Sequence, residues 1–314
     1  MDFLTLLGTV APVFLVIAAG YAVFRVGWLS TEAESSLLRL VVNLLYPCLI
    51  LNTVMTNAAV MKPENLVLPP LAGFATAAFG CLASYAVAPL FGLREPRVRR
   101  TFAFTTGIYN YGYIPLPVVG TLFGAGATTV LFIHNIGVEI ALWTVGVVML
   151  AGTSPRDAWR NIFTPPVIAI AVAVGLNFTG AAHRMPQFLL SAIRIVGAAG
   201  VPLALLLTGA TFADQARNLK SGPSTAVALG SSLLRLGLLP LSLLALARWL
   251  PCSPELRQVI MVQAAMPSAM FPVILAKHYG GDPATALRIV LITSALGLIT
   301  IPLWLKFGLV VIGH

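Results

Sequence analysis

Apolar stretches of about 20 residues, parted by short polar turns, run the whole length of the chain. About 20 residues is what a helix needs to cross the hydrocarbon of a bilayer. Ten such spans are predicted, near 3–24, 36–56, 66–91, 99–122, 127–151, 163–179, 188–212, 223–249, 256–278 and 284–312. The expected fold class is therefore an all-α membrane protein with ten transmembrane helices.

Span 4 is unfit to be an unbroken helix. It reads GIYNYGYIPLPVVGTLFG from Gly107 to Gly124, with Asn110, Gly112, Pro115 and Pro117 in one short run. A proline inside a helix lacks an N–H and clashes with the carbonyl four residues back, at a cost of about 3 kcal/mol. The residues before the prolines, Ile114 and Leu116, are pushed toward extended geometry. Open backbone at membrane depth is tolerated only inside protein or beside a watery cavity. A break here points to a binding site.

Composition sharpens this picture. The chain has 314 residues, 58% apolar and 9% charged, against roughly 25% charged in soluble domains. No loop leaves room for a soluble domain. The net charge of +9 comes from basic residues lying between apolar runs, so it reads as a topology signal rather than a nucleic-acid surface. No nucleic acid is expected; the lipid bilayer is. The Met1-Asp2-Phe3 start lacks the basic residues of a cleaved leader, so span 1 is read as retained. Cys48, Cys81 and Cys252 show no metal spacing and are expected to be free, buried thiols.

With the N-terminus outside, the inner loops hold Arg25, Arg94, Arg97, Arg99, Arg100, Arg156, Arg160, Arg217, Lys220 and Lys277. The outer loops and tail hold Lys62, Arg184, Arg248, Arg257 and Lys306. That bias predicts both termini outside and a cell (inner) membrane location.

The two halves repeat. Arg39 stands eight residues before Pro47 in span 2, and Arg194 eight before Pro202 in span 7. Ala11-Pro12-Val13 and Gly20 in span 1 answer Pro165-Pro166-Val167 and Gly175 in span 6. Span 4 follows Pro96, breaks near Pro115 and reaches Phe123-Gly124; span 9 follows Pro254, breaks between Pro267 and Pro272 and reaches Tyr279-Gly280. Five spans per half is an odd number, so the second half is inverted. The division is 1–151 for the first repeat, 152–162 for a short joining loop and 163–314 for the second repeat. Inverted repeats with interrupted helices in matching positions mark secondary transporters.

If the two breaks cross, two half-helix N-termini face the crossing, each with about half a positive charge. Free N–H groups there would receive an anion. Candidate substrate-binding residues are Asn110, Tyr111, Gly112, Pro115 and Pro117 from span 4. Gln263, Pro267, Ser268 and Pro272 join them from span 9, with Asn43 from span 2. The alternative for Asn110 is a local cap, and for Ser268 simple packing. Tyr109 and Tyr113 either flank a ligand or pack.

Two charges lie inside spans, Glu139 in LFIHNIGVEIALW and Arg235 in SSLLRLGLLP. Either alone is expensive in hydrocarbon. One reading pairs them, as a static lock or with Glu139 as a proton-coupling carboxylate and Arg235 its electrostatic partner, and whether they pair is left open; His134 and Asn135 lie one turn before Glu139. No HExxH, GxSxG or Walker sequence occurs, so an enzyme or ATP-driven pump is not expected, nor any metal or cofactor.

These residues resemble the auxin efflux carrier family of bacterial and plant transporters, which includes bacterial malonate-transporter-like members. The resemblance rests on Tyr46-Pro47 with Leu49-Ile50, Asn110-Tyr111-Gly112 with Pro115-Leu116-Pro117, and Pro202-Leu203-Ala204 to Gly209. It continues through AAMPSAMFPVILAKHYGGD, Ala264 to Asp282, Thr293-Ser294 and Ile301-Pro302. It implies two inverted five-helix repeats with broken, crossing helices 4 and 9, as in sodium/proton antiporters and bile-acid symporters. It implies a scaffold of helices 1, 2, 6 and 7, a mobile domain of helices 3–5 and 8–10, an elevator-like motion and a small organic anion as cargo. Met270-Phe271 depart from the family, which often carries a polar residue there. The long central loop of many plant members is absent. The expected function is a secondary active transporter of a small organic anion, a carboxylate or auxin-like weak acid. The alternatives are a sodium-coupled carrier or a sensor that binds without transporting. A homodimer is left open.

Overall fold

The computed structural model describes residues 1–151, 162–217 and 225–313. The predicted joining loop, with Arg156 and Arg160, and Lys220 lie outside the described residues. The described residues form an all-helical multi-pass membrane protein without a named strand.

The chain opens with α1 (Phe3–Arg25), capped by the Asp2 carboxylate, which accepts from the Thr5 amide at 2.8 Å. Next come α2 (Thr31–Leu40), a π-helical turn at Val41–Leu45 and α3 (Tyr46–Val54). Span 2 therefore starts five residues before its predicted edge. Ser30 caps it, and its first turns carry Glu32 and Glu34, whose charge hides them from a hydropathy window. Glu34 is buried and accepts a hydrogen bond from the Thr211 hydroxyl.

α4 (Glu64–Val87) follows, then α5 (Pro96–Gly107), which stops at the expected break. α6 (Pro115–Ala141) restarts beyond it and runs through a kink at Gly124, where φ is 76°. Predicted spans 4 and 5 thus meet in one stretch, parted by a glycine conformation that a side chain would strain. A π-turn at Leu142–Gly146 leads into α7 (Val147–Ala151). The second half holds α8 (Pro165–Phe178), α9 (Gln187–Ala198) and α10 (Gly200–Arg217). After them come α11 (Thr225–Leu233), a π-turn at Leu234–Leu238 and α12 (Leu239–Trp249). α13 (Pro254–Ala264), α14 (Phe271–His278) and α15 (Pro283–Ile312) complete the chain.

Among the described residues, seven stretches are long and apolar enough to cross a membrane unaided: 3–25, 31–54, 64–91, 115–151, 187–216, 225–249 and 283–312. α8 is a shorter apolar helix, and α5, α13 and α14, with 12, 11 and 8 residues, are each too short to cross alone.

Small residues let the backbones close up, the usual way helices associate in lipid. A Cβ on Gly20 would sit 1.9 Å from the Leu206 carbonyl oxygen, and one on Gly209 would sit 1.8 Å from that of Ile17. These two contacts lock α1 onto α10. Gly73 and Gly137 do the same for α4 and α6, against His134 O and Pro70 O. Proline is accommodated as well. Pro240 has no N–H to offer the Leu236 carbonyl four residues back, and the Trp304 indole N–H donates there instead at 2.7 Å. The three cysteines are free; Cys81 is buried, and Cys48 and Cys252 are half-buried.

Candidate functional site

The two breaks cross. Residues 108–110 and 267–269 run antiparallel as an isolated β-bridge between Tyr109 and Ser268. The Asn110 amide donates to the Pro267 carbonyl at 2.7 Å, and the Ala269 amide donates to the Ile108 carbonyl at 2.9 Å. Each break thus satisfies backbone groups that its own helix has released, which is what open backbone at this depth requires. Around the bridge α5 and α13 end, and α6 and α14 begin. Pro115 is the first residue of α6 and Pro272 the second of α14, positions where the missing N–H matters least. Pro117 lies inside the first turn of α6.

A cavity of about 210 Å³ opens beside this crossing. One wall is the crossing itself: Asn110, Tyr111, Gly112, Tyr113 and Leu116 from the first break, and Ala269, Met270 and Phe271 from the second. A second wall is the face of α6 and its π-turn, with Phe132, Asn135, Ile136, Glu139 and Trp143. The third comes from other helices: Val42, Tyr46 and Ile50 from the second span, and Thr164, Pro166, Val167 and Ile170 at α8. Tyr46 meets Tyr113 edge-on at 5.6 Å, and Trp143 meets Phe271 edge-on at 5.9 Å. The lining is rich in aromatic side chains, and among the described residues Glu139 is the one charged residue in it.

A small polar network holds the break in shape. The Asn135 side chain donates to the Tyr111 carbonyl at 2.7 Å. Gln263, fully buried, reaches the same carbonyl and the Asn135 side-chain oxygen, both at 3.4 Å. The Tyr111 hydroxyl donates to the Glu139 carboxylate at 2.9 Å. The Asn110 side-chain oxygen accepts from the Ile114 amide at 3.3 Å. Asn110 thus caps the restart of its own helix while it also borders the cavity.

Other candidates stand elsewhere. Ser268 is buried in the crossing, where its amide reaches the Thr293 hydroxyl oxygen at 3.2 Å and its own hydroxyl has no partner. Tyr109 is buried against Thr76, their hydroxyls 2.8 Å apart, and lies beside the His134 ring. His134 is fully buried, with neither ring nitrogen hydrogen-bonded. Asn43 donates to the Arg39 carbonyl at 2.7 Å and borders a shallow groove with Pro47 and Pro165, not the cavity.

On the question left open for Glu139 and Arg235, the structure gives each a different partner. Lys62 and Glu255 form an ion pair at 2.6 Å; Glu139 and Arg235 have other partners. Arg235 is buried in its π-turn, 5.3 Å over the Tyr109 ring and 3.4 Å from the Ala264 carbonyl. Ala264 is the last residue of α13, so the guanidinium meets the negative end of that half-helix, a favourable place for a cation. Glu139 takes its hydrogen bond from Tyr111 and faces the cavity. Both charges are answered, by a helix end and by a phenol, rather than by each other.

A family model described as "Membrane transport protein" matches the chain twice, over residues 5–157 and 153–305. The chain belongs to this family. It is the auxin efflux carrier family that the motifs resemble. An uncharacterised transporter of Methanothermobacter thermautotrophicus is 26% identical over 97% of this chain and 99% of its own length. An uncharacterised transporter of Methanocaldococcus jannaschii is 24% identical, over 93% and 95%.

Within this membrane transport protein, Trp143, Phe132 and the α8 wall escaped the sequence reading. No motif marks them, because an aromatic residue in an apolar span looks the same whether it faces a cavity or a neighbouring helix. One signal was present for Trp143. It lies four residues after Glu139, so both sit on one helical face. Met270 and Phe271, noted as departures from the family, line the cavity directly.

Proposed function

We propose that this membrane transport protein is a secondary active transporter of a small organic anion, working by an elevator-type alternation. The cavity supports the reading most directly. It lies between the crossing with its α6 wall on one side and the α3/α8 wall on the other. The first side belongs to the predicted mobile domain, and the second to the predicted scaffold of spans 1, 2, 6 and 7. Sliding one side against the other would carry a ligand from one membrane face to the other. The α6 and α14 N-termini border the cavity through Leu116 and Phe271, and their partial positive charge suits an anion.

Ten crossings in two inverted repeats complete the proposal. The family model matches each half separately. Matching breaks meet head-on and antiparallel. The glycine that follows each restarted half-helix has a positive φ, 76° at Gly124 and 75° at Gly280. The basic residues favour both termini outside a cell membrane.

The test is uptake of labelled malonate and indole-3-acetate into proteoliposomes, beside Asn110→Ala. Saturable uptake lost or weakened in the variant supports a carrier with its site at the first break. Uptake untouched by the variant moves the site away. Binding without counterflow would make the protein a sensor.

A further inference from the structure

The cavity carries a charge of the wrong sign for the proposed cargo. Among the described residues Glu139 is the charged residue in its lining, and none of their cations forms an ion pair with it. Arg235, the candidate partner, is committed to Tyr109 and the α13 end.

Among the described residues, the cavity lining brings no cation to Glu139. From the first break it meets the Tyr111 hydroxyl at 2.9 Å. From its own helix Trp143 shares its face and lines the same cavity. Tyr46 of α3 and Tyr113 are the remaining titratable groups in the lining, and α8 brings Thr164 and apolar side chains. The half-helix N-termini give partial positive charge, enough to favour one anion at the crossing. A carboxylate cargo together with an ionised Glu139 would place two like charges in an aromatic cavity of about 210 Å³. Like charges sharing a dry site do not both stay ionised. Tyr111 fits either state, because a phenol donates to a carboxylate and accepts from a carboxylic acid.

We propose that Glu139 is the proton site of this transporter, protonated while the anion is bound and free to release its proton when the cavity empties. The inference rests on the organic-anion reading. Proton and anion then cross together, the one charge offsetting the other, so a monoanion moves without net charge. The same arrangement explains how a lone carboxylate is kept in a membrane cavity, where intramembrane acids serve proton relays.

The test uses the purified full-length chain and reads the proton site apart from the cargo. Trp143, beside Glu139, reports on it through its fluorescence. Between pH 4 and pH 9 the wild type is expected to show a titration that disappears in Glu139→Gln and in Trp143→Phe, and persists with a shifted midpoint in Glu139→Asp. Glu139→Gln keeps a partner for the Tyr111 hydroxyl, so loss of the titration is not loss of the fold. Indole-3-acetate and benzoate are then titrated as probes. Their apparent affinity is expected to fall about tenfold per pH unit above the Glu139 midpoint in the wild type, and to show no such slope in Glu139→Gln. A Trp143 titration that survives in Glu139→Gln overturns the proposal, as does an equal pH slope in both proteins. Failure of both probes to bind, with the Glu139-dependent titration intact, counts against the organic-anion cargo and upholds the proton site.

Discussion

Asn110 and Pro267, 157 residues apart in sequence, are joined by a backbone hydrogen bond of 2.7 Å. With its companion from Ala269 to Ile108 at 2.9 Å, it closes a two-rung ladder between two interrupted helices. Ladder bonds of this kind belong to sheets; here the two rungs stand alone inside a helical protein. They hold the breaks at a fixed distance and give the crossing its shape.

Removing one rung should be costly. Ala269→Pro takes away the amide that serves the Ile108 carbonyl, and both residues are buried. An orphaned buried carbonyl costs about 1–3 kcal/mol. The expected outcome is a lower midpoint of thermal unfolding in detergent, with transport lost. A variant as stable as wild type would show the rung to be dispensable.

The α1–α10 contact tolerates no added carbon. Gly20→Ala and Gly209→Ala each drive a Cβ into a backbone oxygen, at 1.9 and 1.8 Å. Overpacking of this kind costs about 1–3 kcal/mol or more, and monodisperse protein on size exclusion should fall sharply. Gly8→Ala is the control. It lies in the same helix, meets nothing within 4 Å, and should be neutral or gain up to about 1 kcal/mol from helix propensity.

Trp304 and Pro240 should behave as a coupled pair. Trp304→Phe removes the donor to the Leu236 carbonyl and should destabilise by about 1–3 kcal/mol. In a Pro240→Ala background an amide returns to that carbonyl, and the cost of Trp304→Phe should shrink. Unfolding midpoints for the four proteins of this cycle give the coupling; additive losses would mean the indole acts by packing alone.

Phe271→Ala opens the cavity where the family often places a polar residue. It removes the edge-on contact with Trp143, a type of pair worth about 0.5–1.5 kcal/mol beyond its buried area. For an aromatic acid such as indole-3-acetate we expect KM to rise about two- to tenfold. Malonate should be affected less, and the ratio of the two uptake rates is the measurement. Equal effects on both would remove Phe271 from cargo selection.

Much of this was written in the residue order. Pro115, Pro117, Pro267 and Pro272 announce both breaks, because a proline's missing N–H is a local fact. The Gly124 turn was legible as the close of span 4 for the same kind of reason. What the sequence withheld depends on rotation about helix axes. Glu139 and Arg235 stood out as two charges in apolar runs, and whether they pair could not be read from their positions. Which way each helix turns its charge is settled by packing, and here it sends one to a helix end and the other to a cavity. The α8 wall was invisible for the same reason, since Thr164, Pro166, Val167 and Ile170 carry no signal of what they face. Polar first turns hid the start of the second span, where buried Glu34 finds Thr211 only after folding.

The two-rung ladder has a mechanical consequence. It binds the breaks of the two halves into a single rigid clasp, so neither half-helix can swing away alone to let a ligand out. Under the proposed elevator alternation the cavity would be a seam with one fixed lip and one travelling lip. Its far lip, α3 and α8, meets the clasp mostly through side-chain packing, with the Thr129 hydroxyl reaching the Thr53 carbonyl at 3.1 Å as a polar stitch. Packing of that kind slides at little cost, whereas the clasp does not stretch. On that proposal, release would depend on how far the lips travel past each other, with the aromatic rings along the seam as its bearing.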